Sequence, residues 1–468
     1  MTSNRKESHP ELMRKLGVFD TTMILAGIVI GTGIFLTTGV MAKTLPSASL
    51  ILLAWLAGGV FSLAGALTVA EMGASMPEAG GQYIYLREAY GPLFGFLFGW
   101  VFFLVNSTGS KATIAVGFAE YVAYFFPSLS TQNKVFSTSI NIFNHHFGYS
   151  LSVGQLVAIG AIILLSLCNY VGLGVGKTIQ NIFTVIKIGT IVIIIVLGFS
   201  IGKGTSIDFT LNSTDLGTGQ LIMGFFIVLI AVSWAYDGWI NVSFVAGEIK
   251  NPGKNLPRAL ILGTSGITIL YLLINYLYLY ALPIKEMAGV VRIAEKATLS
   301  LFGGPASAII SAVVIISTFS ALNSTILTGP RVFYAMAKDK LFFRKVAKVN
   351  QRFHTPGFAF LAQAIWAIIL TLSGSFEQLL TFTTFIIIAS WIANVASVFT
   401  LRKKYPNLPR PYKTWGYPAV PIIFLIFYSI VLLNTLIRRP VESLAGVALT
   451  VIGIPAYCFW RRKSREGL

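Results

Sequence analysis

The chain has 468 residues, of which 55% are hydrophobic and 11% are charged, and its net charge is +18. A soluble protein of this length needs about a quarter charged residues to wet its surface, so this composition excludes the soluble globular classes. The basic residues stand at the ends of apolar runs and in short connecting segments. That distribution is typical of membrane topology signals and argues against a nucleic-acid partner.

The chain begins with a polar segment, 1–17, and no cleavage site follows its first apolar run, so no removable signal peptide is predicted. Apolar segments of about the 20 residues that cross a bilayer then follow one another along the chain. We predict twelve spans, at 18–42, 48–74, 93–125, 151–170, 178–202, 220–247, 259–282, 303–330, 357–373, 376–400, 418–436 and 442–460.

The distribution of basic residues predicts the orientation of these spans. With both termini in the cytoplasm, the loops on that side carry 25 of the 35 Lys and Arg residues and the opposite loops carry 8, while Lys111 and Lys187 lie within spans. Basic loops stay on the cytoplasmic side of a membrane. The longest connecting segments, 127–150 and 331–356, are too short to enclose a core, so no soluble domain is predicted.

The first span contains a glycine-rich stretch, Gly-Ile-Val-Ile-Gly-Thr-Gly-Ile-Phe, over residues 27–35. Glycines interrupt a helix readily and allow a ligand to approach the backbone closely, and Thr32 adds a hydroxyl donor among them. The spacing of Gly27 and Gly31 also fits close packing of two membrane helices. The stretch is not a dinucleotide fingerprint, because Leu36 occupies the third glycine position and no strand precedes it.

The sixth span contains a second interruption, Ser233-Trp-Ala-Tyr-Asp-Gly-Trp239. Asp237 lies deep in an apolar segment, where an ionisable group is costly and is a functional candidate by default. The two interruptions begin two five-helix halves, 18–202 and 220–400, as in transporters that build their site from discontinuous helices. Residues 401–460 then form two peripheral helices, and 461–468 is a basic cytoplasmic tail.

A broken helix at the middle of a membrane exposes free N–H groups at one new end and free C=O groups at the other. The N–H end favours a carboxylate, and the C=O end favours an ammonium group. An α-amino acid carries both groups on one carbon. The paired interruptions therefore predict a site for an amino acid, with no cofactor.

Several ordered motifs resemble the amino acid–polyamine–organocation superfamily and, within it, the L-type amino-acid transporter family. The motifs are the stretch 27–35, the segment from Glu71 to Glu88, Trp234-Ala-Tyr-Asp-Gly-Trp239 with the following Gly247-Glu248 and Asn251 to Pro257, and Arg402 to Lys413. The resemblance implies an all-α polytopic membrane protein with about twelve helices. Its fold is then the five-plus-five inverted repeat of the leucine transporter, plus two peripheral helices.

The resemblance also implies a role for each residue of the two interruptions. Carbonyl groups of Val29, Ile30 and Trp234, together with Asp237, are expected to receive the α-amino group, and Trp234 matches the aromatic gate of the family. The amides of Gly31 and Gly33, with Thr32, are expected to hold the carboxylate. The predicted substrate site comprises Val29, Ile30, Gly31, Thr32, Gly33, Trp234, Ala235, Tyr236 and Asp237. Some relatives have glycine or serine at the Asp237 position, which leaves open whether cationic side chains are accepted.

Two lysines within spans have different expected roles. Lys187 lies in a segment that resembles the fifth-helix lysine of the family, beside helices 1 and 8, where sodium-coupled relatives hold a cation. A fixed positive charge there argues against sodium binding, although a lysine that extends to the membrane interface is the alternative. Lys111 lies in a polar patch of helix 3, Asn106 to Lys111, as a site contact or as an internal structural pair.

Partners and boundary charges complete the interpretation. Animal members of the family bond a glycoprotein subunit through a cysteine in the loop between helices 3 and 4, and 127–150 contains none, so no disulfide-linked subunit is expected. The two cysteines present, Cys168 and Cys458, lie in apolar spans. Charged residues at the cytoplasmic ends of spans are expected either to form an inner gate or to be solvated or structurally paired; they are Glu71, Arg87, Glu88, Glu248 and Arg331.

The sequence therefore predicts a multi-pass transporter of the cell membrane, most simply a sodium-independent exchanger of small or medium neutral L-amino acids. Proton-coupled uptake is the alternative within the same class, with Lys187 changing protonation. A membrane-embedded enzyme needs clustered His, Cys or carboxylates at one depth, and the four histidines lie outside the predicted spans. A channel is also disfavoured, because the sequence shows no repeated pore loop and no charged ring.

Overall fold

The protein is described by a computed structural model that covers residues 14–142, 145–171, 173–210, 217–350, 352–353, 355–373, 376–438 and 440–465. These residues form helices joined by short connections and one two-stranded hairpin. The tails 1–13 and 466–468 and the histidines His9 and His354 lie outside the described residues.

Eighteen α-helices follow one another along this part of the chain. They are α1 (Val18–Val29), α2 (Gly33–Thr44), α3 (Ala48–Ser75), α4 (Gln82–Tyr90), α5 (Pro92–Val101), α6 (Ser107–Phe125), α7 (Val153–Tyr170), α8 (Leu173–Ile201), α9 (Thr218–Tyr236), α10 (Pro252–Ala281), α11 (Ile284–Met287), α12 (Ile293–Phe302), α13 (Gly304–Thr328), α14 (Pro330–Lys338), α15 (Gly357–Ser373), α16 (Phe376–Lys404), α17 (Ala419–Arg438) and α18 (Pro440–Arg465). A π-helical turn, Phe102–Asn106, joins α5 to α6, and 3₁₀ turns occupy Pro127–Leu129, Asn241–Glu248 and Arg344–Ala347.

The predicted membrane spans coincide with these helices. Within the described ranges, eleven helical segments are long and apolar enough to cross a bilayer, and Gly357–Ser373 is a shorter apolar helix at the place of the predicted ninth span. The all-α polytopic class is confirmed. The first span is the most enclosed, since 89% of its apolar stretch is buried, against 28% for Ala419–Ile437 and 22% for Ser443–Ser464. The last two spans are among the least buried of those described, together with Gly176–Ile201 at 28%.

The packing places the first broken helix at the centre of the fold. Helix α1 packs against α8, α10 and α13, and α10 also packs against α3. Helix α2 packs against α9, so the two interrupted spans are neighbours. Glycine allows the close packing of α3 against α10, because a Cβ at Gly59 of α3 would lie 2.2 Å from the Cγ2 atom of Thr268 on α10.

Some elements were not predicted from the sequence. Strands β1 (Lys134–Ile142) and β2 (His145–Ser152) pair antiparallel between α6 and α7, with a bulge between Lys134 and Phe136. Alternation over only nine residues is a weaker signal than a long apolar run. Helices α4, α11, α12 and α14 fall in segments too short or too polar to be counted as spans.

Helix α10 also begins at Pro252 rather than at 259. Proline is well accommodated at the first position of a helix, so the polar first turn is helical although its composition is not apolar.

Candidate functional site

The first span is interrupted at the predicted glycines. Helix α1 ends at Val29, and α2 begins at Gly33. Ile30 has φ −77° and ψ 79°, outside the helical region, and its N–H makes the last helical hydrogen bond, to the Ala26 carbonyl at 2.9 Å. The next amide, that of Gly31, donates to the Val29 carbonyl at 2.8 Å. The first amides of α2 have no acceptor in their own helix, as at any helix N-terminus. They form an electropositive end in the middle of the span.

The sixth span is interrupted at the predicted aspartate. Helix α9 ends at Tyr236, Asp237 has an extended ψ of 146°, and the chain resumes as the 3₁₀ turn Asn241–Glu248. Gly238 has φ +109°, a conformation that side chains disfavour. A Cβ at Gly238 would also lie 2.2 Å from the Cγ2 atom of Ile28. Glycine is thus required both by the backbone conformation and by the contact with α1.

The two interruptions touch each other. A Cβ at Gly33 would lie 2.6 Å from the Ala235 Cα atom and 2.7 Å from its Cβ. Since real Cβ atoms do not approach so closely, only glycine allows α2 to lie directly against α9 at this level. The contact joins the N–H end of the first interruption to the final turn of α9.

A cavity lies between the two interruptions. Its lining residues are Ile28, Val29, Gly31, Thr32, Gly33, Phe102, Asn106, Ser107, Ser110, Ile114, Trp234, Asp237, Asn241, Thr325 and Thr328. Six of the nine predicted substrate-site residues are among them. The other three, Ile30, Ala235 and Tyr236, adjoin the cavity in sequence without lining it. The Tyr236 hydroxyl instead donates to the Trp55 carbonyl at 3.1 Å.

Three carbonyls near the interruptions already accept hydrogen bonds from the protein. The Tyr271 hydroxyl contacts the Val29 carbonyl at 2.7 Å and the Ala235 carbonyl at 3.1 Å. The Ile30 carbonyl accepts from Lys187 Nζ at 2.7 Å and from the Ser317 hydroxyl at 3.1 Å. Asp237 is therefore the charged acceptor that these interruptions present to the cavity.

Lys187 lies where the resemblance places it, beside the first and eighth spans. It is fully buried, and its Nζ contacts the carbonyls of Gly27 at 3.0 Å, Ile30 at 2.7 Å and Ser317 at 3.4 Å. Three carbonyl oxygens from two helices converge on one ammonium. The group does not extend to the membrane interface, so the alternative of an interfacial lysine is wrong.

Charged residues at one end of the spans are paired. Arg331 and Glu248, both about 1% exposed, form a bidentate ion pair with contacts of 2.7 and 3.1 Å. The Glu71 carboxylate accepts from Arg402 Nη2 at 2.6 Å, and Arg87 contacts Asp339. The Tyr83 hydroxyl also donates to Asp339 at 2.7 Å, and burial next to that carboxylate raises the pKa of Tyr83. The boundary charges are thus structurally paired, which agrees with the second of the two expectations stated for them.

Several residues of this site were missed by sequence reasoning. Tyr271 and Ser317 read as ordinary members of membrane helices, since nothing in their local sequence indicates the distant carbonyls they contact. The cavity wall formed by α6 and α13 had a weak signal in the polar patch from Asn106 to Lys111. Among the described residues, no group of three or more His, Cys, Asp or Glu side chains is arranged to hold a metal ion.

Paired interrupted helices around a shared cavity define a membrane transporter with discontinuous helices. The family to which it belongs follows from comparison with known proteins. Residues 16–454 match the amino acid permease family, and the chain belongs to that family. The membership confirms the predicted amino acid–polyamine–organocation superfamily, its leucine-transporter fold and the class of transporter rather than enzyme.

The relatives cover nearly the whole chain. It is 31% identical over 452 residues to the serine/threonine exchanger SteT of Bacillus subtilis, which covers 95% of this chain and 96% of that protein. It is 29% identical over 459 residues to the human b(0,+)-type amino acid transporter 1, covering 95% and 88% of the two chains. It is 28% identical over 468 residues to the human large neutral amino acids transporter small subunit 2, covering 97% and 82%.

Proposed function

We propose that this chain is a sodium-independent exchanger of small or medium neutral L-amino acids that works by alternating access. The observation that carries the proposal is the cavity between the two interruptions, which has a helix N-terminus on one wall and a carboxylate on another. A zwitterion fits that pair of charges. A serine/threonine exchanger among the relatives supports exchange as the mode of transport.

The backbone assigns the two ends of the substrate. Its carboxylate is placed at the start of α2, against Thr32 and Gly33, because the first amides of α2 and the helix dipole favour an anion there. The Gly31 amide lies beside them but already donates to the Val29 carbonyl at 2.8 Å. Its ammonium group is placed at Asp237, since the carbonyls of Val29 and Ile30 already accept from Tyr271, Lys187 and Ser317. A carbonyl oxygen has two lone pairs, and each of these two carbonyls already accepts two hydrogen bonds, since the Gly31 amide also donates to Val29 at 2.8 Å.

The cavity wall supports a limit on side-chain size. Phe102, Ile114 and Trp234 are bulky groups in this wall, and serine, threonine and asparagine residues also line it. Large side chains have little space between such groups. Small and medium neutral amino acids match this mixture of apolar and hydrogen-bonding surface.

Sodium independence rests on Lys187. Its ammonium is bound by the oxygen atoms of Gly27, Ile30 and Ser317 at 2.7–3.4 Å, and such carbonyl oxygens are the ligands that a monovalent cation uses. A second positive charge at the same oxygens would be repelled strongly in a buried site. The lysine thus takes the structural role of the cation.

Purified protein in liposomes tests the mode of transport. Uptake of labelled L-serine is expected to require unlabelled amino acid inside the vesicles, and to be the same in sodium and in choline buffers. An imposed pH gradient is expected to leave the rate unchanged. Uptake into empty vesicles that follows the pH gradient would overturn exchange and establish proton symport.

Lys187→Met tests the bound ammonium. It removes the ammonium from three buried carbonyls, of which only that of Ile30 keeps a side-chain donor, the Ser317 hydroxyl. A hydrogen bond to a charged group contributes about 1.5–3 kcal/mol, so exchange is expected to fall at least tenfold. Lys203→Met makes the same change at an exposed lysine just beyond α8 and should leave exchange unchanged. Equal activity of both variants would remove Lys187 from the mechanism.

We further propose that 18–202 and 220–400 are the inverted repeats, that the protein lies in the cell membrane with both termini cytoplasmic, and that it needs no disulfide-linked subunit. Single cysteines at Lys134 and Lys348, in a background with Cys168 and Cys458 replaced, test the orientation. In intact cells an impermeant maleimide should label the first position and not the second. The reverse pattern would invert the topology.

A further inference from the structure

The third membrane span, Pro92–Phe125, contributes a hydrogen-bonding wall to the cavity. The π-helical turn Phe102–Asn106 inserts an extra residue before α6, and such turns are frequent at functional sites because they shift the face that a helix presents. After the turn, Asn106, Ser107 and Ser110 all line the cavity, and each is less than 10% exposed.

Lys111 lies behind this wall and is fully buried. Its Nζ donates to the Ser107 carbonyl at 2.9 Å and to the Ser107 hydroxyl oxygen. Within the described chain, the ion pairs do not include Lys111, so Ser107 is its principal polar partner. Lys111 takes no part in the cation-like role proposed for Lys187, whose amine contacts carbonyls on other helices.

The lysine fixes the direction of the Ser107 hydroxyl. An ammonium group donates and cannot accept, so the Ser107 oxygen acts as acceptor toward Lys111. Its own proton is then free to be donated on the other side, where Ser107 lines the cavity. Gly329 makes room for the arrangement, because a Cβ there would lie 2.8 Å from the Ser107 Oγ and 3.1 Å from the Lys111 Nζ.

Ser110, one helical turn from Asn106, provides a second unused group. Its hydroxyl is buried and has no hydrogen-bond partner among the described residues, although Ser110 lines the cavity. A buried hydroxyl left unpaired costs free energy that a ligand can recover by bonding to it. Because Ser110 lines the cavity, a polar group of a bound ligand would satisfy this hydroxyl.

We propose that Ser107 and Ser110 form a subsite for a hydrogen-bonding side chain of the substrate, and that Lys111 is a positioning residue that holds Ser107 as a donor. The preferred substrates are then neutral amino acids with a short side-chain hydroxyl. This inference rests on the proposed amino-acid site but not on exchange. The two interruptions bind the carboxylate and ammonium groups of the substrate, and Ser107 and Ser110 contact its side chain.

Binding to the purified, full-length protein tests the subsite without requiring transport. L-serine and L-2-aminobutyrate have the same shape, and only serine carries a side-chain hydroxyl, so the ratio of their Kd values isolates that group. We expect wild-type protein to bind serine about 3- to 10-fold more tightly, as one or two hydrogen bonds give. Equal Kd values for the two ligands would overturn the subsite.

Variants then show which serine hydroxyls of the cavity wall contribute to the serine preference. Ser107→Ala and Ser110→Ala should each lower the serine preference about 3-fold and leave the 2-aminobutyrate Kd unchanged. Ser166→Ala is the matched control, because the Ser166 hydroxyl is also buried and unpaired but lies on α7, outside this cavity. An unchanged ratio in both wall variants would contradict the proposal.

The role of Lys111 is tested by combination. Lys111→Met should lower the serine preference, and adding Ser107→Ala should lower it no further, because Lys111 acts through Ser107. Additive losses would make the lysine an independent structural element. If Lys111→Met does not fold, O-methyl-L-serine gives the test in protein that keeps Lys111, since its ether oxygen accepts hydrogen bonds and cannot donate one. Ser107→Ala should weaken its binding if Ser107 donates, and an unchanged Kd would contradict the assigned direction.

Discussion

The two interrupted helices differ in how their free backbone groups are satisfied. At the first interruption, the carbonyls of Val29 and Ile30 accept from Tyr271, Lys187 and Ser317, and the chain resumes as the α-helix α2 with its amides free. At the second interruption, the chain resumes as a 3₁₀ turn, and Asp237 faces the cavity beside Gly238. One interruption is neutralised at its carbonyl end, and the other carries its own carboxylate.

This difference indicates a division of roles between the halves. Because protein donors occupy the carbonyl end of the first interruption, its amide end is left for an anion. The second interruption adds the negative charge that an ammonium group needs. The two ends of one zwitterion are thus assigned to different helices, so that the substrate connects them.

The largest effect is expected from closing the contact between the two interruptions. Gly33→Ala places a methyl group 2.6 Å from the Ala235 Cα atom, which forces α2 away from α9, so exchange should be lost. Gly160→Ala is the matched control, since a Cβ there meets nothing within 4 Å. Normal exchange by the Gly33 variant in liposomes, at equal expression, would separate the contact from function.

Asp237→Asn sharpens the assignment of the ammonium group. A hydrogen bond to a charged group contributes about 1.5–3 kcal/mol, so KM should rise about tenfold or more for neutral and cationic amino acids alike. Asp208→Asn changes an exposed carboxylate and should have no effect. Loss of cationic substrates alone would instead assign Asp237 to the side chain.

The smallest effect is expected at the hydroxyl that joins both interruptions. Tyr271→Phe removes the single O–H donor that the Val29 and Ala235 carbonyls share, a hydrogen bond worth about 1 kcal/mol, so the exchange rate should fall about 3- to 10-fold while the protein still folds. Tyr276→Phe alters a tyrosine on the same helix that is 41% exposed. A rate that is equally reduced in both variants would deny Tyr271 its bridging role.

Much of the fold follows from the sequence because its determinants are local. Apolar runs give the spans, and glycines with a buried aspartate indicate both interruptions to within a few residues. The hairpin after α6 and the short helices outside the spans were missed, since their patterns are short. The start of α10 was displaced because its first turn is polar.

The site was less predictable because its contacts are distant in sequence. Tyr271 contacts a carbonyl 242 positions away, and the Ser317 hydroxyl contacts one 287 positions away. Six predicted substrate-site residues line the cavity, whereas the lining side chains of the third and eighth membrane spans could be assigned only from the packing of the whole fold. Lys187 was placed by family resemblance, and only the structure supplies its three carbonyl partners.

The buried Arg331–Glu248 pair affects how the protein can open at that end. Pulling two opposite charges apart inside a dry protein is far more costly than doing so in the presence of water. Solvent must therefore reach the pair before α14 can leave the segment Asn241–Glu248. Wetting would then precede movement, and the passage would open only after a file of water molecules has entered it.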